Sequence, residues 1–432
     1  INITDTVTYT GIWYHGDRET NKYEWKNYAI RVKNEGYAVT INANGHNFII
    51  NGHGDRGGAV QVDHEGCHAI VNGGFYEAHD DVYGKEIFYN NKGTLELNDV
   101  HAEGEILLKH REGTTYVNGG VYKRVNVPQE LVGERNKGAI ISTVTGTLIL
   151  DNVEVSAETG SALLVLGGDV TVKGGNLTTK DANYSAVYTA VREADDDFAP
   201  ADNDGGGDGY SKGDVIVKLD STTVKDSNNA LKVKNGKTVD SKIILKDATF
   251  ENNKTDVLLE DGQKFADAIE VAEDNSKSLD LKVANASGES HSVQLAVLTV
   301  EGGTVTFDDS VTIEGEKVTV SQKGDTTMTN LPANAHVTVT YDEAAYADSN
   351  LKFGGWTIEG LDNAEDYKNE KTFQFDMPTH NVTIKAITPT TDTDDGIDAA
   401  TVVTGVAIGA GAAVLTYHIG TELYAEQVLG KG

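Results

Sequence analysis

The sequence has almost no cysteine, proline or methionine, and these scarcities set the first limits on the protein. Its single cysteine, Cys67, excludes an intramolecular disulfide framework and any zinc site built from several thiolates. Because secreted eukaryotic domains often carry disulfides, this lack favours a bacterial source. Five prolines against 47 glycines, with Val, Ile, Leu and Thr at the apolar positions, favour short strands joined by tight turns.

Basic residues are also few. The 36 Lys and Arg stand against 67 Asp and Glu, a formal net charge of -31, which would repel nucleic acid and an anionic membrane surface. We therefore expect no nucleic-acid partner, whereas a long solvated surface or calcium binding suits this charge. The first residues have neither a basic region nor an apolar run, so we expect no signal peptide among them and an already processed chain if the protein is secreted.

A repeated strand-and-turn unit dominates the first part of the chain. The closer units begin roughly 21 to 28 residues apart, the length of one turn of a parallel β-helix, in which each rung covers the apolar side of the next. The units are 39–52, 69–77, 95–103, 116–123, 148–158, 170–180, 215–226 and 243–253. The sequence therefore predicts an all-β protein with a right-handed parallel β-helix over 28–265, preceded by a strand or cap region at 1–27.

Alternation inside the units predicts which side chains fill the helix, and the polar pairs predict its turns. The Asn-Asp, Asp-Asn and Gly-Gly pairs are expected where the chain needs positive φ. Two longer gaps, 124–138 and 181–213, are interpreted as loops between rungs. The predicted interior positions are Leu95, Leu97, Leu148, Leu150, Val170 and Val172.

Longer alternating strands after the repeats predict two small antiparallel β modules, at 266–314 and 315–387. In the second, FGGWTIEG (353–360) and TFQFDMPTHNVTIKA (372–386) resemble a small repeat of bacterial surface proteins, which has a Gly-Trp strand, then Phe, Met-Pro, Asn and a last strand. The matching residues are Trp356, Phe373, Phe375, Met377, Pro378, Asn381 and Val382. The resemblance implies a stalk or spacer on a cell surface and no active site.

The last segment, 388–432, is an acidic linker followed by an apolar tail. Residues 399–417 carry no charge, are about long enough to span a bilayer, and include the small-xxx-small pair Gly405 and Gly409. Such tails resemble those of S-layer-type surface proteins of anaerobic Gram-positive-type bacteria. Three interpretations stay open: burial against another copy, membrane anchoring, and packing on the chain's own body.

Both chain ends are candidates for contacts between subunits. The first residues alternate apolar and polar side chains, as a strand added to an exposed sheet edge would. Contacts between unlike ends are heterologous and propagate into fibres, so a head-to-tail homopolymer is expected. The predicted interface residues are Ile1, Ile3, Val7, Tyr9, Val402, Val403, Val406, Ile408, Val414 and Leu415.

Motifs that carry chemistry are weak. Asp80 and Asp81, with basic residues of following rungs, are the best candidates for a carbohydrate-active cluster, but ordinary surface charges are the preferred interpretation, and no catalytic residue is predicted. The basic residues concerned are Arg111, Lys123, Arg124 and Arg135. Seven of the twelve histidines lie between His46 and His110 without the spacing of a metal site.

A loop at 194–214 is rich in Asp and Gly, and its Asp202, Asp204 and Asp208 suggest calcium as the one cofactor to consider. The loop lacks the Glu that an EF-hand has at its twelfth place, so a plain acidic loop is the preferred interpretation. Nucleotide-binding loops and serine-nucleophile motifs are absent from the sequence.

Together these features predict a non-enzymatic extracellular structural protein, a cell-surface or filament subunit that joins copies of itself through its ends. The alternatives are a secreted β-helix polysaccharide lyase or hydrolase, and an adhesin that binds cell-wall or host glycans. Converging carboxylates and basic residues on one face of the β-helix would favour the enzyme, and exposed aromatic rings the adhesin.

Overall fold

Three short strands in each turn of the chain stack onto the strands of the next turn. The computed structural model describes residues 1–11, 28–52, 58–78, 86–125, 137–191, 211–236, 240–308, 310–313, 316–318, 320–346 and 352–388. Strands make up 59% and helices 3% of the structure, so the predicted all-β class is confirmed. The chain divides into two compact units, 1–272 with 281–293, and 273–280 with the described chain from Gln294 onward.

The first unit is the parallel β-helix. Its elements are β1 (Val7–Gly11), β2 (Tyr28–Val32), β3 (Ala38–Asn42), β4 (Asn47–Gly52), β5 (Gly58–Val62), β6 (His68–Asn72), β7 (Phe75–Ala78), β8 (Glu86–Asn90), β9 (Thr94–Asn98), β10 (His101–Gly104), β11 (Ile106–His110), β12 (Thr114–Asn118), β13 (Val121–Arg124), β14 (Gly138–Ser142), β15 (Thr147–Asp151), β16 (Glu154–Ala157), β17 (Ser161–Val165), β18 (Asp169–Lys173), β19 (Asn176–Thr179), β20 (Ser185–Ala190), β21 (Val215–Asp220), β22 (Thr223–Lys225), β23 (Asn229–Lys234), β24 (Ser241–Lys246), β25 (Thr249–Glu251), β26 (Thr255–Leu259), α1 (Phe265–Ala268), β27 (Ile269–Val271) and β28 (Leu279–Asn285).

Every third strand from β1 to β27 belongs to the same sheet, and neighbours within each sheet are parallel. Sheet A runs from β3 to β27, sheet B from β1 to β25, and sheet C from β2 to β26 and on to β28. Strands β9, β15 and β24 therefore lie in one parallel sheet, as the repeats predict. The parallel β-helix is confirmed, while the right-handed sense of its winding stays a prediction.

Successive side chains in the strands of sheets A and B point alternately into and out of the β-helix, and the inward ones are mostly apolar. All six predicted interior positions are at most 1% exposed: Leu95, Leu97, Leu148, Leu150, Val170 and Val172. Their partners in neighbouring rungs are in register, since Leu95 lies beside Ala69 and Thr115. Like positions stack along the whole helix, so each rung buries the apolar side of the next.

The corner between sheets A and B, the A–B corner, is a tight turn at positive φ. Asp99 and Asn152 adopt φ near +50°, and at the equivalent place the chain has Gly119 followed by Gly120. A Cβ on Gly120 would come within 2.2 Å of the Val100 carbonyl oxygen, so glycine is required there. The predicted positive-φ role of these polar pairs is confirmed.

Sheet C differs from the other two because its middle strands are buried on both faces. All residues of β11, β14 and β17 are buried, and outward side chains such as Ile141, Leu164 and Tyr188 belong to an apolar cluster. Strand β20 lies within the gap 181–213, so the prediction that this whole gap is a loop is wrong. A doubly buried strand has no alternation to reveal it in the sequence.

The parallel pairing continues past residue 265, where the sequence predicts the change to an antiparallel module. Strand β27 pairs in parallel with β24, and β28 pairs in parallel with β26. At the other end, Asn2 bridges Asn42 and β1 pairs in parallel with β4, so residues 1–11 form part of the first rung. The β-helix thus begins and ends beyond the predicted limits of 28 and 265.

The second unit contains the antiparallel strands. Its elements, with β29 shared between the units, are β29 (Ser290–Glu301), β30 (Gly303–Phe307), β31 (Thr312–Ile313), β32 (Glu316–Lys317), β33 (Ser321–Lys323), β34 (Thr326–Pro332), β35 (His336–Tyr341), β36 (Gly355–Glu359), α2 (Ala364–Tyr367), β37 (Thr372–Asp376) and β38 (Val382–Ile387). Strand β35 lies between β30 and β37, and β29 pairs with β34, all antiparallel, whereas β29 and β38 are parallel.

The residues that resemble the bacterial surface repeat form the centre of this unit. Trp356 is 3% exposed, and its indole N–H donates to the Glu370 carbonyl at 2.7 Å. The side chain of Asn381 accepts the Val297 backbone N–H at 2.9 Å. Other members of the motif bury their side chains in the same core: Phe373, Phe375, Met377 and Val382. The motif therefore specifies packing in this chain.

Candidate functional site

The first rung carries the predicted amino-terminal interface. The Ile1 ammonium donates to the Thr40 carbonyl at 2.6 Å, and Val7 and Tyr9 of β1 lie in register with Phe48 and Ile50 of β4. One edge of this rung is thus paired within the chain. Among the described residues, no strand pairs with its other edge.

The four predicted residues at this end differ in exposure. Ile3 is 9% exposed and belongs to the helix core, whereas Ile1 is 58% exposed. Val7 and Tyr9 are half-buried, and burial raises the pKa of the Tyr9 hydroxyl. Of these four side chains, Ile1 is the most exposed.

An asparagine ladder starts at the same edge and runs along the last position of sheet A. Each side-chain amide donates to the amide oxygen of the rung before it, at 2.8 to 2.9 Å. The members are Asn2, Asn42, Asn72, Asn98 and Asn118. Because the three inner amides both donate and accept, the row fixes the register of the first rungs, and Asn2 is its first member.

The same row becomes ionic in the later rungs. Asp151 follows Asn118 in register, and Lys173 lies between Asp151 and Asp220. The last member, Lys246, is 3.6 Å from the Asp220 carboxylate. Charges of opposite sign therefore alternate along the row.

The outer face of sheet C holds a half-buried polar cluster that the sequence reasoning missed. The Glu86 carboxylate accepts the Tyr28 hydroxyl at 3.0 Å and lies 3.4 Å from the Lys109 ammonium. The Glu86 and Lys109 side chains are 12% and 10% exposed, and the Tyr28 and Tyr89 rings stack with centroids 6.2 Å apart. Tyr28, Glu86 and Lys109 together are called the Tyr28 cluster below.

A second set of polar contacts lies on the same face. Arg31 forms an ion pair with Asp63, whose other carboxylate oxygen accepts the Gln61 amide at 2.6 Å. The Arg111 guanidinium donates to Asn91 at 3.0 Å. This face therefore brings carboxylates, cations and stacked aromatic rings together, although each carboxylate described here already has a cationic partner. Sequence separation hides the arrangement, since Tyr28 and Glu86 are 58 residues apart.

A histidine is buried inside the helix. His110 is fully buried, and its Nδ1 lies 2.9 Å from the Thr115 hydroxyl, which also accepts the Asn90 amide at 2.9 Å. The Nε2 atom has no hydrogen-bond partner among the described residues. Desolvation lowers the pKa of His110 to about 4. The nearby Thr145 backbone raises this pKa and so offsets part of the decrease, although it does not meet the geometry of a hydrogen bond to Nε2.

An arginine is buried at the corner between sheets B and C. Arg124 is 1% exposed and donates to the Glu105 carbonyl at 2.7 Å and the Gly138 carbonyl at 3.0 Å. Desolvation lowers its pKa to about 10, opposed by the nearby charges of Glu105 and Asp181. The guanidinium remains charged at neutral pH and connects two rungs.

The candidate catalytic residues that the structure describes do not converge. Lys123 lies on the surface of sheet B, 3.2 Å from Glu103, whereas the neighbouring Arg124 points into the helix and Arg111 lies beside Asn91. The remaining candidates lie outside the described residues: Asp80, Asp81 and Arg135.

The residues of the predicted calcium site and of the predicted tail interface lie outside the part of the chain that the structure describes. Within it, no group of three His, Cys, Asp or Glu side chains has metal-binding geometry, and His68 instead pairs with Glu96 at 2.9 Å. No helix of the described part is long and apolar enough to cross a membrane. The calcium candidates and the tail interface lie outside the described residues: Asp202, Asp204, Asp208, Val402, Val403, Val406, Ile408, Val414 and Leu415.

No protein-family model matches the chain, and neither a curated protein nor a solved structure matches it. Functional inference therefore depends on the residues themselves.

Proposed function

We propose that this chain is a non-enzymatic extracellular structural protein, a cell-surface or filament subunit that assembles head to tail through its ends. The observation that carries the proposal is the first rung, whose outer edge has no partner strand among the described residues and ends in Ile1 and the Asn2 amide. Such an edge attracts another strand, and the ladder offers that strand a register.

The distribution of charge is consistent with this role. Acidic and basic side chains of the β-helix pair along rows of the sheets, as Lys246 does with Asp220 and Lys123 with Glu103. Mutual neutralisation stabilises stacked rungs, whereas acid–base catalysis needs a proton-transfer group poised for substrate. The resemblance of the second unit to stalk-forming surface repeats supports an extracellular location.

The test blocks the edge without removing the first rung, since deleting residues 1–11 would also remove the buried Ile3. Ile1→Lys with Thr8→Lys places two positive charges on exposed positions of that rung. The matched control, Tyr116→Lys with Ile216→Lys, adds the same charge at exposed positions of sheet A.

Negative-stain microscopy and sedimentation of the full chain provide the readout. We expect wild type and control to assemble and the edge variant to remain monomeric with an unchanged β-type circular dichroism spectrum. A variant lacking 397–432 tests the other end in the same way. Filaments that persist in both the edge variant and the tail deletion, or a monomeric wild type, would refute assembly through the ends.

The Tyr28 cluster favours a second candidate, binding or cleavage of an acidic polysaccharide, because stacked tyrosines beside paired charges suit a sugar. Pectins, alginates and glycosaminoglycans are the panel to test. Glu86→Gln, which removes the negative charge of the Tyr28 cluster, is compared with Glu96→Gln on sheet A, where the Glu96 carboxylate pairs with His68. Binding or turnover that only Glu86→Gln changes would favour this candidate.

A further inference from the structure

A surface cleft lies beside the last strands of the β-helix and has a composition unlike the rest of the chain. Its volume is about 320 Å³, and Lys254, Lys282 and His291 line it with three hydroxyl residues, Thr255, Ser290 and Ser292. The lining contains no Asp or Glu, although acidic residues outnumber basic ones 67 to 36 in the sequence. The cleft is therefore a local positive site on an acidic protein.

Asp256, which follows the lining residue Thr255 in the chain, has its carboxylate bonded within the fold. One Asp256 oxygen accepts the Lys282 backbone N–H at 2.9 Å, and the other accepts the Asn253 side-chain amide at 3.1 Å. Asp256 is 4% exposed, so these bonds hold its charge inside the rung. The Lys282 ammonium donates to the Asn253 carbonyl at 2.9 Å, which positions this cation at the cleft with donors to spare.

We propose that this cleft binds a tetrahedral oxyanion, the phosphate or sulfate group of a larger molecule. Lysine ammonium groups bind phosphate groups as point charges, and together with hydroxyls they can donate hydrogen bonds to a tetrahedral anion from several directions. The cleft has room for one such group and part of its carrier. In 0.1 M salt, the repulsion between the bound anion and a carboxylate is largely screened beyond about 10 Å. The charges that line the cleft therefore decide whether the anion binds. This inference does not rest on the proposed assembly.

The test is calorimetric titration of the full chain with inorganic phosphate and, separately, inorganic sulfate, with acetate at equal ionic strength as the reference anion. The variant Lys254→Gln with Lys282→Gln removes both cations of the cleft. Its control, Lys173→Gln with Lys218→Gln, removes the same charge from sheet A. Unfolding midpoints of both variants show whether the fold is retained.

We expect saturable binding of phosphate or sulfate, at least about tenfold weaker in the cleft variant and unchanged in the control. The anion that binds more tightly identifies the chemical source. Lys254→Gln alone serves as a second variant, with a smaller loss, in case the double variant is unstable. Equal weakening in both double variants, binding of acetate as tight as that of phosphate, or no saturable binding at all would overturn the proposal.

Discussion

Acid should destabilise the β-helix through His110, and the magnitude follows from its surroundings. The neutral ring lies inside the helix with Nδ1 on Thr115 and no partner for Nε2 among the described residues. Burial lowers its pKa from 6.5 to about 4, so the unfolded chain binds a proton in this interval that the folded chain does not. The free energy of unfolding therefore decreases as pH falls below about 6.5, by about 3 kcal/mol near pH 4.

The assay compares wild type with His110→Gln, a substitution of similar size that cannot titrate near these pH values. Urea unfolding is followed by far-ultraviolet circular dichroism from about pH 7.5 to about pH 4, the interval spanned by the two pKa values. Carboxylates affect both proteins alike, so the difference between the two stability curves isolates the histidine. We expect wild type to lose about 3 kcal/mol relative to the variant across this interval. Parallel curves would show that His110 is not held neutral in the fold.

Four further substitutions test the backbone-contact and hydrogen-bond arguments. Gly120→Ala should destabilise by about 2–4 kcal/mol, since its Cβ meets the Val100 carbonyl, and Gly45→Ala, at positive φ in open space, by only about 1 kcal/mol; equal losses in urea unfolding would contradict the clash. Asn98→Ala should cost about 1–2 kcal/mol, because it leaves two ladder amides with one partner fewer, and an unchanged midpoint would show that water replaces the ladder. Arg124→Ala should cost about 3–5 kcal/mol in the same assay, and a loss below about 1 kcal/mol would show that its burial brings no net support.

The sequence predicts the parts of this fold that depend on local pattern. The strands of sheets A and B alternate apolar and polar side chains, so the pattern around Leu95 indicates which side of its strand faces the inside of the β-helix. The turns between these sheets need Asn, Asp or Gly at positive φ, so Asp99 indicates the corner of the same rung. The same reasoning does not identify the third strand of each rung, which belongs to sheet C. Strands such as β14 and β17 are buried on both faces, and a continuous apolar run does not distinguish a strand from a buried helix.

The candidate sites were harder to predict because they depend on how rungs stack. Tyr28, Glu86 and Lys109 come from three strands of sheet C, and only the register between rungs brings them together. His110 has no motif around it, and its burial follows from its place at the inner end of β11. The end of the β-helix was misplaced because β28 alternates like an antiparallel strand, although it pairs in parallel with β26.

The tight A–B corner divides the chain into places that accept extra sequence and places that do not. Two residues connect β9 to β10 and β12 to β13, whereas residues 125–137 separate β13 from β14 and 191–214 separate β20 from β21. The A–B corner itself varies little: four residues connect β3 to β4 and two connect each later pair of strands, because positive φ and close carbonyl contacts restrict it. The large changes in rung length therefore fall at the other two corners. For protein engineering, the β-helix is a display scaffold: foreign peptides belong between sheets B and C or between C and A, where lengthening leaves the stacked rungs intact.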